Sequence, residues 1–150
     1  MVIHHGSMYQ GIFVELSRIH IDQVVAEYLR AWAGQDPDLI PGIFTEDATY
    51  QEGGYAGPML GVASIRSYWQ KKVVESQDNI TCRHLLTSVD QETGRVTVKW
   101  EAEFDDLDDG FRKRIMEVAL LTFEDGRISS LEEYWTSQKI RPLDQRQLPG

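Results

Sequence analysis

The chain has 150 residues and a formal net charge of −9, with a sequence pI near 4.8. That length fits one domain with a sizeable core, and that charge disfavours phosphate backbones and anionic membrane surfaces as partners. The hydrophobic share of 41% and charged share of 26% are those of an ordinary globular chain; no apolar run is long enough to span a bilayer.

The opening Met1-Val2-Ile3-His4-His5-Gly6-Ser7-Met8 reads as an expression remnant with a second start at Met8, so His4 and His5 are not taken as ligands. No charged-then-apolar leader follows, and a cytoplasmic protein is expected. Residues 9–139 are read as one domain and 140–150 as a C-terminal tail, extended or loose.

From Ile19 to Ala33 the apolar residues Ile21, Val24, Val25, Tyr28, Leu29 and Trp32 recur at helical spacing. Asp22 is the expected N-cap and Gly34 the terminator. Asp36-Pro37 opens a short second helix that ends near Phe44. Within Phe44-Thr45-Glu46-Asp47-Ala48-Thr49-Tyr50-Gln51-Glu52, Thr49 to Glu52 reads as the first strand, broken by Gly53-Gly54. Ser64 is the expected cap of a third helix carrying Ile65, Tyr68, Trp69, Lys72 and Val73.

Strands follow. Ile80 to Val89 is one, and Gln91 to Gly94 a turn. Cys82 is the single cysteine, which excludes an intrachain disulfide and a thiolate metal site. Arg95 to Phe104 alternates, with Val96, Val98, Trp100, Ala102 and Phe104 on one face. The acidic run Asp105 to Gly110 is read as a solvated loop. Phe111 to Phe123 is a long strand, Glu124-Asp125-Gly126 a hairpin turn, and Arg127 to Thr136 the return. Helices early and strands late predict an α+β fold, helices packed on one face of a curved antiparallel sheet. On the long strand Ile115, Ala119 and Leu121 alternate with Met116, Val118 and Leu120, so both faces need cover. A homodimer through the sheet is the expected cover for the second face, with a folded-back tail as the alternative.

Three segments carry a resemblance: Val24-Val25-Ala26-Glu27-Tyr28, Phe44 to Thr49, and Gly61-Val62-Ala63-Ser64-Ile65-Arg66-Ser67-Tyr68-Trp69. Together they resemble the SnoaL-like family of the nuclear-transport-factor-two-like superfamily, to which ketosteroid isomerases also belong. The likeness is closest from Ile21 to Gln70. It implies a cone-shaped roll, a curved sheet wrapped around the N-terminal helices. It leaves function open, because that fold hosts isomerases, cyclases, dehydratases, epoxide hydrolases and non-catalytic binders.

Set beside a ketosteroid isomerase, Tyr28 falls on the oxyanion-donor tyrosine, Glu52 on the catalytic base and Trp69 on a supporting pocket tyrosine. Ala119 falls where that family keeps a protonated Asp. A methyl group donates no hydrogen bond, so steroid isomerisation itself is not expected. His84 resembles the pocket histidine of dehydratase-like members, and an imidazole suits proton transfer near neutral pH.

Each candidate has a plainer reading. Glu52 is a general base or a solvated strand-end acid. Tyr28 donates to a ligand or is a core tyrosine satisfied elsewhere. His84 is an acid/base or a strand histidine bonded to a neighbour. Trp32, Tyr50, Trp69, Trp100 and Trp135 line a pocket or fill a core. Glu117 and Glu133 lie on apolar faces, which is costly unless they are paired or functional. For Glu133 the favoured reading is an ion pair with Arg112, Lys113 or Arg114; Glu117 is given more functional weight as a ligand-binding residue.

No nucleotide cradle, nucleophile elbow or histidine pair of metal-ligand spacing appears beyond the first eight residues. The leading expectation is a small-molecule-binding domain acting without metal or cofactor by acid/base chemistry, as an isomerase, cyclase or dehydratase. Tyr28, Glu52 and His84 would be catalytic, and the substrate small and apolar, or polyketide- or steroid-like. The alternatives are a non-catalytic ligand carrier and a protein-interaction module.

Overall fold

The computed structural model describes residues 16–148. The presumed remnant 1–8 lies outside them.

Helix α1 (Arg18–Ala33) is capped by Ser17, whose hydroxyl accepts from the His20 amide at 3.2 Å. This is one turn earlier than the sequence reading placed it. Ser17 reaches a free amide of the first turn, while Asp22 accepts from Arg18 Nε at 3.1 Å. The buried stripe includes Ile21, Val24, Val25, Tyr28, Leu29 and Trp32. Each large side chain withdrawn from water in this way contributes roughly 1.5–3 kcal/mol. Gly34 ends the helix as expected.

A single 3-10 turn (Pro37–Leu39) and the short helix α2 (Ile40–Ile43) lead into strand β1 (Phe44–Glu52). Strand β2 is only Met59–Leu60. Helix α3 (Val62–Trp69) is preceded by Gly61 at φ 88°, and Ser64 lies inside the helix rather than capping it. That φ belongs to glycine, which has no Cβ to clash. The helix then widens into a π-helical stretch, Gln70–Glu75.

The remaining strands are β3 (Gln77–Asp90), β4 (Arg95–Asp106), β5 (Phe111–Glu124) and β6 (Arg127–Pro142). They form one sheet in the order β2-β1-β6-β5-β4-β3. All neighbours are antiparallel except β1, which joins β6 in parallel. The fold class is therefore α+β, three helices against a six-stranded, mostly antiparallel open sheet. The alternation read in β4 holds: Val96, Val98, Trp100, Ala102 and Phe104 are all buried.

Several strands outrun their sequence-based limits, β1 starting at Phe44 instead of Thr49 and β3 at Gln77 instead of Ile80. Strand β4 continues through Asp106, and Asp105 is buried instead of solvated, accepting from Arg112 Nη1 at 3.0 Å and Asn79 Nδ2 at 2.7 Å. Cross-strand partners stabilise a carboxylate that the sequence reading assigned to a solvated loop. Strand β6 continues past Thr136 to Pro142, which pairs with Phe111, and Leu143 behind it is buried. The β5–β6 turn is Asp125-Gly126, with φ values of 52° and 78°, the left-handed pair that a two-residue hairpin demands.

Candidate functional site

Between α1, α3 and the sheet lies a cavity of about 170 Å³. Its size is set by which side chains the strand period sends inward. On β1 the period of two puts Tyr50 and Glu52 on one face. On β6 it does the same for Glu133 and Trp135, and on β5 for Ile115 and Glu117. All six line the cavity. From the helices come Tyr28, Trp32, Tyr68 and Trp69, and from the π-helical stretch Lys72 and Val73. Widening a helix shifts which residues face inward, so both Trp69 and Val73 reach the wall.

The floor is a hydrogen-bonded chain. Tyr50 donates to Glu133 Oε1 at 3.0 Å, and its oxygen lies 3.1 Å from the Tyr28 hydroxyl. The Glu133 and Glu117 carboxyls bond to each other. Trp100 Nε1 donates to Glu117 Oε2 at 3.0 Å. The Trp100 ring stacks on the Tyr28 ring, centroids 4.8 Å apart, so the chain returns to where it began. Tyr28, Tyr50, Trp100, Glu117 and Glu133 are each at most 5% exposed.

Burial shapes the electrostatics. Glu133 is held well above the ordinary carboxyl range, first by burial and then by the charge of Glu117. Glu117 is raised by burial, against the opposing effect of its bonds from Glu133 and Trp100. Two carboxyls this close and this dry keep one proton between them. Glu133, the more strongly raised, holds it and donates to Glu117. The Tyr28 and Tyr50 hydroxyls are pushed up first by burial and then by the Glu117–Glu133 pair, so both stay protonated. Burial, then Glu117, raises the Cys82 thiol to about 12, too high for a thiolate nucleophile at neutral pH.

At the mouth Glu52 accepts from the Tyr68 hydroxyl. Trp135 is 43% exposed there, beside exposed Lys72 and Ser137. Lys113 also lines the cavity, but it bonds Asp106 and Asp109, each at 2.8 Å.

The sequence-derived candidates divide accordingly. Tyr28, Trp32, Tyr50, Glu52, Trp69, Glu117 and Trp135 are brought together. Trp100 stands one layer behind, acting on the wall through Tyr28 and Glu117. His84 is not brought there. It is exposed on the edge strand β3, where the register shifts between His84 and Leu86, and its Nε2 lies 2.7 Å from Thr87 Oγ1.

Glu133 corrects its favoured reading. Arg112 pairs with Asp105 and Glu103, Lys113 with Asp106 and Asp109, and the partners of Glu133 are Tyr50 and Glu117. Its place between Leu131 and Trp135 was the available signal. Tyr68, Gln77 and Phe104 are wall residues that the sequence reading did not single out. Gln77 accepts from Trp32 Nε1 at 2.8 Å, a contact between residues far apart in the chain. Among the described residues no group of three or more His, Cys, Asp or Glu side chains is arranged to hold a metal ion, and no helix is long and apolar enough to cross a membrane.

Residues 25–131 match the SnoaL-like domain family. No curated protein matches the chain. Among solved structures, the epoxide hydrolase/cyclase-like enzyme SalBIII, described in pyran ring formation in the polyether salinomycin, is similar at 26% identity. The similarity covers 79% of this chain and 95% of that one, with a TM-score of 0.68. A putative polyketide cyclase from Xanthomonas campestris pv. campestris shares the fold at 19% identity, covering 79% and 92%, with a TM-score of 0.67. A hypothetical protein with a ketosteroid isomerase-like fold from Catenulispora acidiphila, in complex with trimethylamine, shares it at 19% identity, covering 84% and 93%, with a TM-score of 0.64.

Proposed function

The chain belongs to the SnoaL-like domain family, and on that premise we propose that it is a cofactor-independent acid/base enzyme that isomerises, cyclises or dehydrates a small molecule. The observation that carries this reading is the Glu117–Glu133 pair, two carboxyls buried together at the floor of an open aromatic cavity. A carrier needs no such pair, whose burial is costly.

The chemistry follows from the shared proton. Isomerisation and dehydration take a proton from one atom and deliver one to another. The Glu133 carboxyl gives its proton to the substrate while Glu117 removes one from it, so the pair ends with one proton, as it began. Tyr28 and Tyr50 pass protons along the chain that ends on Glu133. Glu52, beside Tyr68 at the mouth, is a third acid/base group for substrate bound further out.

The likeness to SalBIII supports the cyclase branch. The cavity is close to the ~150 Å³ that accommodates one benzene. We therefore place one ring or a short reacting segment inside, with the rest of a longer polyketide-like substrate in the mouth beside Trp135. A four-ring steroid nucleus does not fit inside the cavity. The same reading keeps the homodimer, since Met116, Val118 and Leu120 are half-buried in a single chain and a second copy would cover them.

The test is turnover of a panel of small ketones, epoxides and hydroxy compounds. Glu133→Gln and Glu117→Gln are each expected to slow the reaction about 10²–10⁴-fold, the usual worth of a placed acid or base. Full turnover in both variants would overturn the reading.

A further inference from the structure

The direction of every hydrogen bond at the cavity floor can be worked out, and it restricts the ligand. Tyr50 has one hydroxyl proton, and it goes to Glu133. The 3.1 Å contact between the two tyrosines must then use the Tyr28 proton. Trp100 gives its N–H to Glu117, and the carboxyl proton lies between Glu133 and Glu117. Each donor in the floor is thus spent on a neighbour in the floor. What remains for a ligand is lone pairs on two carboxyls; the ionised one accepts up to about four bonds, and the protonated one keeps the rest of its acceptor capacity.

The surroundings point the same way. Tyr28, Tyr50, Tyr68 and Trp69 form a cluster with ring centroids 5.1–6.4 Å apart, and aromatic faces attract cations. Glu52 adds a third carboxyl, in register with Glu133 across β1 and β6. The cationic side chains lining the cavity are Lys72, exposed at the mouth, and Lys113, bonded to two aspartates. Gln77 turns its carbonyl to Trp32 and leaves its amide as a neutral donor in the wall.

We propose that the cavity takes a small organic ammonium ion, its N–H groups seated on the Glu117–Glu133 pair and its carbon skeleton against the tyrosine and tryptophan rings. At rest, with the Glu133 proton turned to Glu117, a neutral carbonyl or an anion meets no unspent donor at this floor, whereas an ammonium supplies the donors and the charge that the floor lacks. The proposal rests on the reading of this cavity as the ligand site, but not on any reaction there.

The probe is cyclohexylammonium, a one-ring cation suited to the cavity. Cyclohexanol and cyclohexanecarboxylate are its neutral and anionic counterparts, and binding is read by calorimetry on the full chain at neutral pH. Cyclohexylammonium is expected to bind about tenfold or more tighter than cyclohexanol, a 1.4 kcal/mol preference within reach of a cation on carboxyls and aromatic faces. Cyclohexanecarboxylate is expected not to bind. Replacing both Glu117 and Glu133 by Gln should erase the preference for the cation. Equal or weaker binding of cyclohexylammonium than of cyclohexanol overturns the proposal, and this comparison needs only the native chain. A preference unchanged in the double variant overturns it too. Binding without turnover sinks only the catalytic reading; turnover of neutral substrates without cyclohexylammonium binding sinks only this one.

Discussion

Glu117 and Glu133 sit diagonally across β5 and β6: Glu117 is in register with Trp135, and Glu133 with Ala119. Diagonal neighbours are ordinarily about 7–8 Å apart at the backbone, within reach of long side chains. The small Ala119 opposite Glu133 leaves space for the two carboxyls to meet. Ala119, which the sequence resemblance sets on the protonated Asp of ketosteroid isomerases, offers only a methyl group, and the raised carboxyl in register with it is Glu133 on the neighbouring strand.

This pairing makes stability depend on pH. Glu133 has a folded-state pKa above the 4.5 of an ordinary glutamate, so its contribution is fully present below that value. It is lost as pH rises through the folded pKa. Glu133→Gln keeps the bonding pattern of the protonated acid, its amide donating to Glu117 and its carbonyl accepting from Tyr50. The variant is expected to be more stable than the parent at neutral and alkaline pH, by about 1 kcal/mol, a scale common when a functional group is relieved. The difference should vanish near pH 4. Urea unfolding across this range checks it, and a constant difference at all pH values contradicts it.

Tyr50 bridges two partners and Tyr28 only one. Tyr50→Phe leaves both the Tyr28 hydroxyl and Glu133 Oε1 without their contact. Its expected cost is about 1–3 kcal/mol, the penalty for stranding buried polar groups. Tyr28→Phe, at the end of the chain, should cost about 0.5–1.5 kcal/mol. Equilibrium denaturation ranks the two, and the reverse order would count against Tyr50 as the bridging residue.

Gln35 shapes the cavity wall from behind. It sits at φ 51° just after α1, and its amide donates to Val73 O at 2.9 Å and Gln77 O at 2.7 Å. Both of those residues line the cavity. Gln35→Ala is expected to cost about 1–2 kcal/mol of stability and to raise KM more than it lowers kcat, because it loosens the wall and leaves the carboxyl pair intact. Steady-state kinetics separates the two effects.

The β5–β6 turn is a control outside the site. A Cβ on Gly126 would lie 3.0 Å from His20 Nε2, at a φ of 78°. Gly126→Ala should cost about 1 kcal/mol or more while leaving ligand affinity unchanged. His20→Ala in the same chain should restore at most part of the loss, since the backbone strain remains and the 2.6 Å bond between His20 Nε2 and Gly126 O is lost. A thermal melt of the single and double variants reads this directly.

Much of the fold was legible in the residues. The helical stripe from Ile21 to Trp32, the alternation from Val96 to Phe104 and the Asp125-Gly126 turn are local patterns, and each became the element it predicted. Local competition misled the cap assignments, where Ser17 and Gly61 displaced Asp22 and Ser64. Asp105 misled for another reason, since its partners Asn79 and Arg112 come from other strands.

The site was half legible. Tyr28, Glu52 and Trp69 carry a resemblance that a reader of sequence can follow, and Glu117 and Glu133 stood out as acids on apolar stripes. Periodicity fixes the face on which a side chain emerges, because that depends only on neighbours along the chain. What that side chain meets depends on strand order and register. The sheet's order brings β1, β6 and β5 side by side, so Glu133 met Glu117 and Tyr50 instead of an arginine. It also left His84 on the edge strand, bonded to Thr87. The chain alone determined which residues carry protons; long-range pairing decided which of them share one.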